Sequence, residues 1–172
     1  MKSIDRSTLI GALFLIVLGV VFLVINLTGL QMGQTWPVIF FVLAAMFFLP
    51  ALLWPQAKRG LAGLYIPGSI MLVLGLIFLY NVLTRDWVAW AFAWTLIPGS
   101  VGLGLWLGSL VGKWAGDADK VGAWMMGISV LVFALLGALF GSTGMKIVGP
   151  AFLVVGGALF LFRGLLRKPA AE

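Results

Sequence analysis

Six long apolar stretches, separated by short loops that hold most of the charges, constrain this chain more than any other feature. They cover residues 9–29, 36–54, 61–84, 87–111, 121–141 and 147–166. Apart from Arg163 near the end of the last stretch, none contains Asp, Glu, Lys, Arg or His. A helix of roughly 20 apolar residues spans the hydrocarbon core of a bilayer. The sequence therefore predicts an all-α, polytopic membrane protein with six transmembrane helices.

The composition leaves little material for a soluble domain. Hydrophobic residues make up 63% of the 172 residues and charged residues 9%, and the mean hydropathy is +1.18. Only about 40 residues lie outside the six stretches, which is near the lower limit for an independently stable core. We therefore expect a single transmembrane domain over residues 1–172.

The basic residues predict the orientation of the chain. Lys and Arg are enriched in cytoplasmic loops, and six spans bring both termini to the same side. With that side in the cytoplasm, nine of the eleven basic residues lie inside, and Arg85 and Lys146 lie outside. We therefore expect a plasma-membrane protein with both termini cytoplasmic. The net charge of +6 has this topological cause, and we expect no nucleic-acid partner.

Tryptophans occur near the predicted ends of the helices, where amphipathic rings favour the headgroup layer. The predicted interfacial set is Trp36, Trp54, Trp87, Trp90, Trp114 and Trp124. An alternative is a ligand-binding stripe formed by Trp87, Trp90 and Trp94, which follow one another at helical spacing. The interfacial belt is the favoured interpretation.

A short sequence recurs along the chain. Residues 18–23 read Leu-Gly-Val-Val-Phe-Leu, residues 74–79 read Leu-Gly-Leu-Ile-Phe-Leu, and residues 136–140 read Leu-Gly-Ala-Leu-Phe. After each copy comes a second apolar stretch with a proline, respectively Pro37, Pro98 and Pro150. This pattern predicts three helical hairpins, at about 9–54, 61–111 and 121–166. Successive hairpins keep one orientation, unlike the inverted repeats of many transporters.

Two near-duplicate motifs, Ile-Pro-Gly-Ser at residues 66–69 and at residues 97–100, lie in neighbouring stretches. Paired breaks at Pro67-Gly68 and Pro98-Gly99 occur in discontinuous helices around a substrate pathway. They also occur as kinks whose freed backbone groups are satisfied by neighbouring helices. Both interpretations are open from the sequence, and the kink is favoured.

Small residues recur at every fourth position of the fourth stretch and predict a helix-packing face. The set is Ser100, Gly104, Gly108, Gly112 and Gly116. Small side chains let helices approach closely, which favours association within lipid. Packing inside one chain is the favoured interpretation, and homo-oligomer formation and a pore lining are the alternatives.

Residues that carry catalysis or bind metals are scarce. The chain has no Cys and no His, and its only acids are Asp5, Asp86, Asp117, Asp119 and Glu172. Two carboxylates in one loop supply fewer ligands than a metal normally requires. We therefore expect no enzyme activity, no metal and no cofactor.

The first hairpin resembles the LiaI/LiaF-like transmembrane region of bacterial envelope-stress proteins. The similarity rests on residues 10–13, Ile-Gly-Ala-Leu, on residues 18–26, and on Trp36-Pro37-Val38-Ile39. It implies a small membrane regulator or accessory subunit that acts on a sensor histidine kinase. The six-span hairpin arrangement is also similar to that of HdeD-like acid-resistance membrane proteins.

These observations predict a non-enzymatic integral membrane protein that works in envelope sensing through protein partners. A membrane sensor kinase or an envelope protein is the expected partner, besides the lipid bilayer and a second copy of the chain. The alternative is a channel or small-solute transporter, which the paired Ile-Pro-Gly-Ser motifs and the glycine-rich fourth stretch favour.

Overall fold

The computed structural model describes residues 6–27, 32–141, 146–147, 150–151 and 154. These residues form α-helices and short 3-10 turns, and no β-strand occurs among them. The helices are α1 (Arg6–Leu27), α2 (Met32–Thr35), α3 (Val38–Leu53), α4 (Lys58–Leu61), α5 (Tyr65–Thr84), α6 (Trp90–Ala93), α7 (Leu96–Gly112) and α8 (Ala118–Phe140). Five of the six predicted apolar stretches therefore coincide with helices. The sixth lies almost entirely outside the described residues.

Two of the described helices are long and apolar enough to cross a membrane. They are the 27-residue run Lys58–Thr84, which joins α4 to α5 through a 3-10 turn, and the 23-residue α8. The number rises to three if Trp87–Ala93 and α7, which are bent by 58° relative to each other, form one span. Helix α3 is shorter, with 16 residues.

The helices pack in chain order. Helix α3 lies against α5, α5 against α7, and α7 against α8. Small side chains dominate the buried apolar positions of the helices and the 3-10 turns between them, among them Ala44, Ala51, Ala62, Ala89 and Ala134. Helix axes can lie close together where side chains are this small.

Helix α7 uses glycines on two of its faces. On one face, a Cβ built on Gly104 would lie 2.8 Å from the Tyr65 carbonyl oxygen at the start of α5. On the other, a Cβ on Gly102 would lie 2.6 Å from the Gly122 carbonyl oxygen, and one on Gly122 would lie 2.5 Å from the Gly102 carbonyl oxygen. The backbones of α5, α7 and α8 are thus in direct contact, with no room for side chains at these crossings.

Candidate functional site

Pro98 interrupts the backbone hydrogen bonding at the start of α7. Proline has no N–H to donate, and its ring clashes with the carbonyl group four residues earlier, that of Trp94. A two-residue turn at Trp94 and Thr95 separates α6 from α7, and the two helices are bent by 58°. In a regular helix, the Gly99 N–H would donate to the Thr95 carbonyl oxygen. The bend separates these two groups.

The hydroxyl group of Ser129, from α8, fills this gap. It accepts a hydrogen bond from the Gly99 N–H at 2.9 Å and donates one to the Thr95 carbonyl oxygen. Ser129 and Thr95 are both buried, with 4% exposure each. A single side chain from a neighbouring helix therefore satisfies both backbone groups that the bend separates, as expected for a proline break in an apolar environment.

Other polar groups around the bend are also paired. The Ile97 N–H donates to the Trp94 carbonyl oxygen at 3.0 Å, and the Thr95 hydroxyl donates to the Phe92 carbonyl oxygen at 2.6 Å. The Ser100 hydroxyl donates to the Ile97 carbonyl oxygen at 2.6 Å. These bonds favour the kink interpretation of the second Ile-Pro-Gly-Ser motif, because the freed groups find protein partners.

An apolar groove lies beside the bend, between the start of α7 and the middle of α8. It has a volume of about 240 Å³. Its lining consists of Trp94, Thr95, Pro98, Met125, Ile128, Ser129 and Val132. Since the hydroxyl groups of Thr95 and Ser129 are already hydrogen-bonded, the groove presents an apolar surface.

The first Ile-Pro-Gly-Ser motif lies at the start of α5 and has a different environment. A Cβ on Gly68 would lie 2.5 Å from the ring of Phe48, so an aromatic side chain covers this glycine. The Ser69 hydroxyl is fully buried and has no hydrogen-bond partner in the described part of the chain. The same holds for the side-chain amide of Asn81, further along α5.

The predicted small-residue face of α7 makes contacts of several kinds. Gly104 lies on the backbone of α5, whereas a Cβ on Gly108 would lie 2.8 Å from the Trp114 ring and 2.9 Å from the Ala62 carbonyl oxygen. Gly112 also lies against Trp114 and Ala62. The extension of this face to Gly116 is wrong. Gly116 follows the end of the helix with φ +99°, is exposed, and has no atom within 4 Å of its Cβ position.

The predicted interfacial tryptophans have different environments. Trp36 and Trp90 both contact Phe78 of α5, with ring centroids 4.8 Å and 5.3 Å away. Trp114 and Trp54 are half-buried, and Trp87 and Trp124 are exposed. At least three of the six rings thus pack within the chain in addition to any role they have at a membrane surface.

Ser129 is the residue that the sequence analysis missed. It is the only Ser, Thr, Asn or Gln in the stretch 121–141, and that isolation within an apolar stretch was its signal. Gly102 and Gly122 were missed for another reason. Their contact joins two helices, and no spacing within one helix reveals which glycine faces which neighbour.

In the described part of the chain, charged groups lie at or near the ends of the helices. The Lys120 ammonium donates a hydrogen bond to an Asp117 carboxylate oxygen at 2.7 Å, and this bond lowers the pKa of Asp117 below its ordinary value. Within the described residues, no three His, Cys, Asp or Glu side chains come together as a metal site would require. No protein-family model, curated protein or solved structure matches this chain.

Proposed function

We propose that this chain is a non-enzymatic, multi-pass membrane protein that works in envelope sensing by binding other membrane proteins. In this proposal it has six spans, arranged as three hairpins, with both termini in the cytoplasm. The observation that carries the proposal is the Ser129 bridge. In this bridge, a side chain of the same bundle pairs with the backbone groups at the Pro98 break. A transport site would instead need polar groups that are free to bind a solute.

The exposed face of α8 supports the binding part of the proposal. Apolar side chains recur there at intervals of three and four residues and are exposed. They are Val121, Trp124, Ile128, Leu131, Leu135 and Leu139. This spacing forms one stripe along a helix, the form of surface that another transmembrane helix packs against.

Co-purification in mild detergent tests the proposed function. We expect a membrane kinase or an envelope enzyme in stoichiometric amount, and we expect L131N/L135N to reduce it. L76N is the control, because Leu76 is a comparably exposed leucine on α5. Purification of the chain without any stoichiometric partner, or equal loss with the control, contradicts the proposal.

The proposed topology has its own test, which the absence of cysteine makes simple. In single-cysteine variants of the whole chain, a membrane-impermeant maleimide added to intact cells should label R85C and leave K58C unlabelled. After the membrane is opened, both should react. Labelling of K58C in intact cells contradicts the proposed orientation.

The alternative is a channel or transporter for a small apolar solute, and the groove beside Pro98 is the observation that favours it. Flux of such a solute into proteoliposomes, lost in P98A and kept in P67A, would support this alternative. Pro67 is a suitable comparison because it occupies the equivalent position in the first motif.

A further inference from the structure

Trp114 connects two separate basic segments of the chain. Its indole ring lies over the glycines at the end of α7, where a Cβ on Gly108 would be 2.8 Å from Cη2 and a Cβ on Gly112 would be 2.5 Å from Nε1. The Nε1–H also donates a long hydrogen bond of 3.4 Å to the Arg59 carbonyl oxygen in α4. The ring therefore fixes the loop after α7 against α4.

This contact brings three cations to one edge of the helix bundle. Lys58 and Arg59 lie in α4, and Lys113 directly precedes Trp114. Lys113 directly follows α7 and has the left-handed conformation, with φ 47°. All three residues are exposed. Lys113 lies more than 50 positions after Lys58 and Arg59 in the sequence, yet Trp114 links the two segments that carry them.

The charges at this edge are unbalanced. Among the described residues, the only ion pair is the one between Lys120 and Asp117, so Lys58, Arg59 and Lys113 have no carboxylate partner within 4.0 Å. Asp119, which is also exposed, lies in the first turn of α8, near Lys120. An unpaired basic edge beside long apolar helices is suited to bind phosphate groups at a membrane surface.

We propose that this edge, formed by Lys58, Arg59 and Lys113 around Trp114, binds the phosphate of an anionic lipid headgroup. The cations attract the phosphate, and the indole ring holds the two basic segments at a fixed separation. A lipid is favoured over a soluble anion because the edge directly adjoins helices that are apolar enough to cross a membrane. The inference requires only a bilayer and does not depend on a protein partner.

Native mass spectrometry of the whole purified chain tests the site. The probes are phosphatidylglycerol, phosphatidylcholine and inorganic phosphate, added separately. We expect tighter binding of phosphatidylglycerol than of phosphatidylcholine, and we expect R59Q/K113Q to lower that preference about tenfold or more. The control R85Q/K146Q removes the same charge at the other ends of the helices and should keep the preference.

The W114F variant tests the link between the two segments. It keeps an aromatic ring over Gly108 and Gly112 but loses the N–H donor, so we expect a weaker lipid preference with all three cations still present. An unchanged preference in R59Q/K113Q overturns the proposal, and so does an equal loss in the control. Inorganic phosphate that binds as tightly as phosphatidylglycerol would overturn the assignment to a headgroup.

Discussion

The two Ile-Pro-Gly-Ser motifs have the same sequence and different structures. Pro67 and Pro98 each occupy the third position of a long helix, α5 and α7 respectively. The segment before α5 continues into it within the run Lys58–Thr84, whereas the segment before α7 is bent by 58°. Phe48 covers Gly68 in the first motif, and Ser129 contacts Gly99 in the second. The group that lies over the glycine is thus an aromatic ring in the first motif and a hydroxyl group in the second.

This difference shows that the local sequence permits the bend and the neighbouring helix stabilises it. A sharp bend separates backbone donors from acceptors, which is costly in an apolar environment unless a polar group replaces the lost bond. Ser129 supplies that group for the second motif. Phe48 offers no donor or acceptor to the first, and there the chain remains in one helical run.

The contact between the two motif-bearing helices gives the largest expected effect. In G104L, a branched side chain would replace the hydrogen that now faces the Tyr65 carbonyl and Ile66. We expect the free energy of unfolding to fall by about 3 kcal/mol or more, because backbone atoms cannot move aside as a flexible side chain does. SDS titration in mixed micelles measures this change.

The control for G104L is G127L. Gly127 lies in α8 and has no atom within 4 Å of its Cβ position, so a side chain there meets open space. If G104L and G127L lower the free energy of unfolding equally, the loss comes from replacing a helical glycine and not from the contact between Gly104 and α5.

Removal of the Ser129 hydroxyl tests the difference between the two motifs most directly. In S129A, the Gly99 N–H and the Thr95 carbonyl lose their partner, and we expect a loss of about 1–3 kcal/mol in the free energy of unfolding. The equivalent change in the first motif, S69A, should be neutral or slightly stabilising, since the Ser69 hydroxyl has no partner to lose. Equal effects of S129A and S69A would contradict the bridge.

Hydrogen exchange gives a local measure of the same bond. The Gly99 amide should exchange faster in S129A than in the unmodified chain, and its rate in S69A should not change. Unaltered exchange at Gly99 in S129A would mean that another group satisfies this amide.

The sequence predicted the helices well and the contacts between them poorly. Hydrophobic length places helices because it is a local property, and five apolar stretches coincide with helices within a few residues. The helix-packing role of Gly104 followed from spacing in one helix. Which residue faces Gly99 depends on how α7 and α8 cross, and no periodicity within a single helix contains that information.

The glycines of the two motifs should differ in their effect, and the smaller effect is expected at Gly68. In G68A, the new Cβ would meet the outer edge of the Phe48 ring, which can turn away, and alanine favours the helix by about 1 kcal/mol. We expect a net change within about 1 kcal/mol. In G99A, the Cβ would lie 2.6 Å from the Ser129 hydroxyl and 2.7 Å from its Cβ, so the bridge must be displaced.

A double-mutant cycle identifies the cause of the G99A effect. Once S129A has removed the hydroxyl, G99A should cost less than it does in the unmodified chain, because the two changes disrupt one contact. Additive losses would show that the two positions act independently, and the proposed role of Ser129 at Gly99 would then be wrong.

The smallest expected effect concerns the first turn of α8, the helix that carries Ser129. The hydrogen bond from Lys120 lowers the pKa of Asp117 below its ordinary value of 3.8, so the unfolded chain takes up this proton at higher pH than the folded chain does. The resulting stabilisation is complete above the ordinary pKa and is lost as the pH falls through the lowered one. Thermal unfolding of D117N between about pH 6 and pH 3 should therefore show a weaker pH dependence than the unmodified chain. Both groups are exposed, so the difference should be small and should decrease with added salt.

Exchange at Gly99 should stay unchanged in D117N, since the bridge depends on the middle of α8 and not on its first turn. Faster exchange there would show that the pair at the start of α8 helps to position Ser129, and that the bend in the second motif depends on the whole helix.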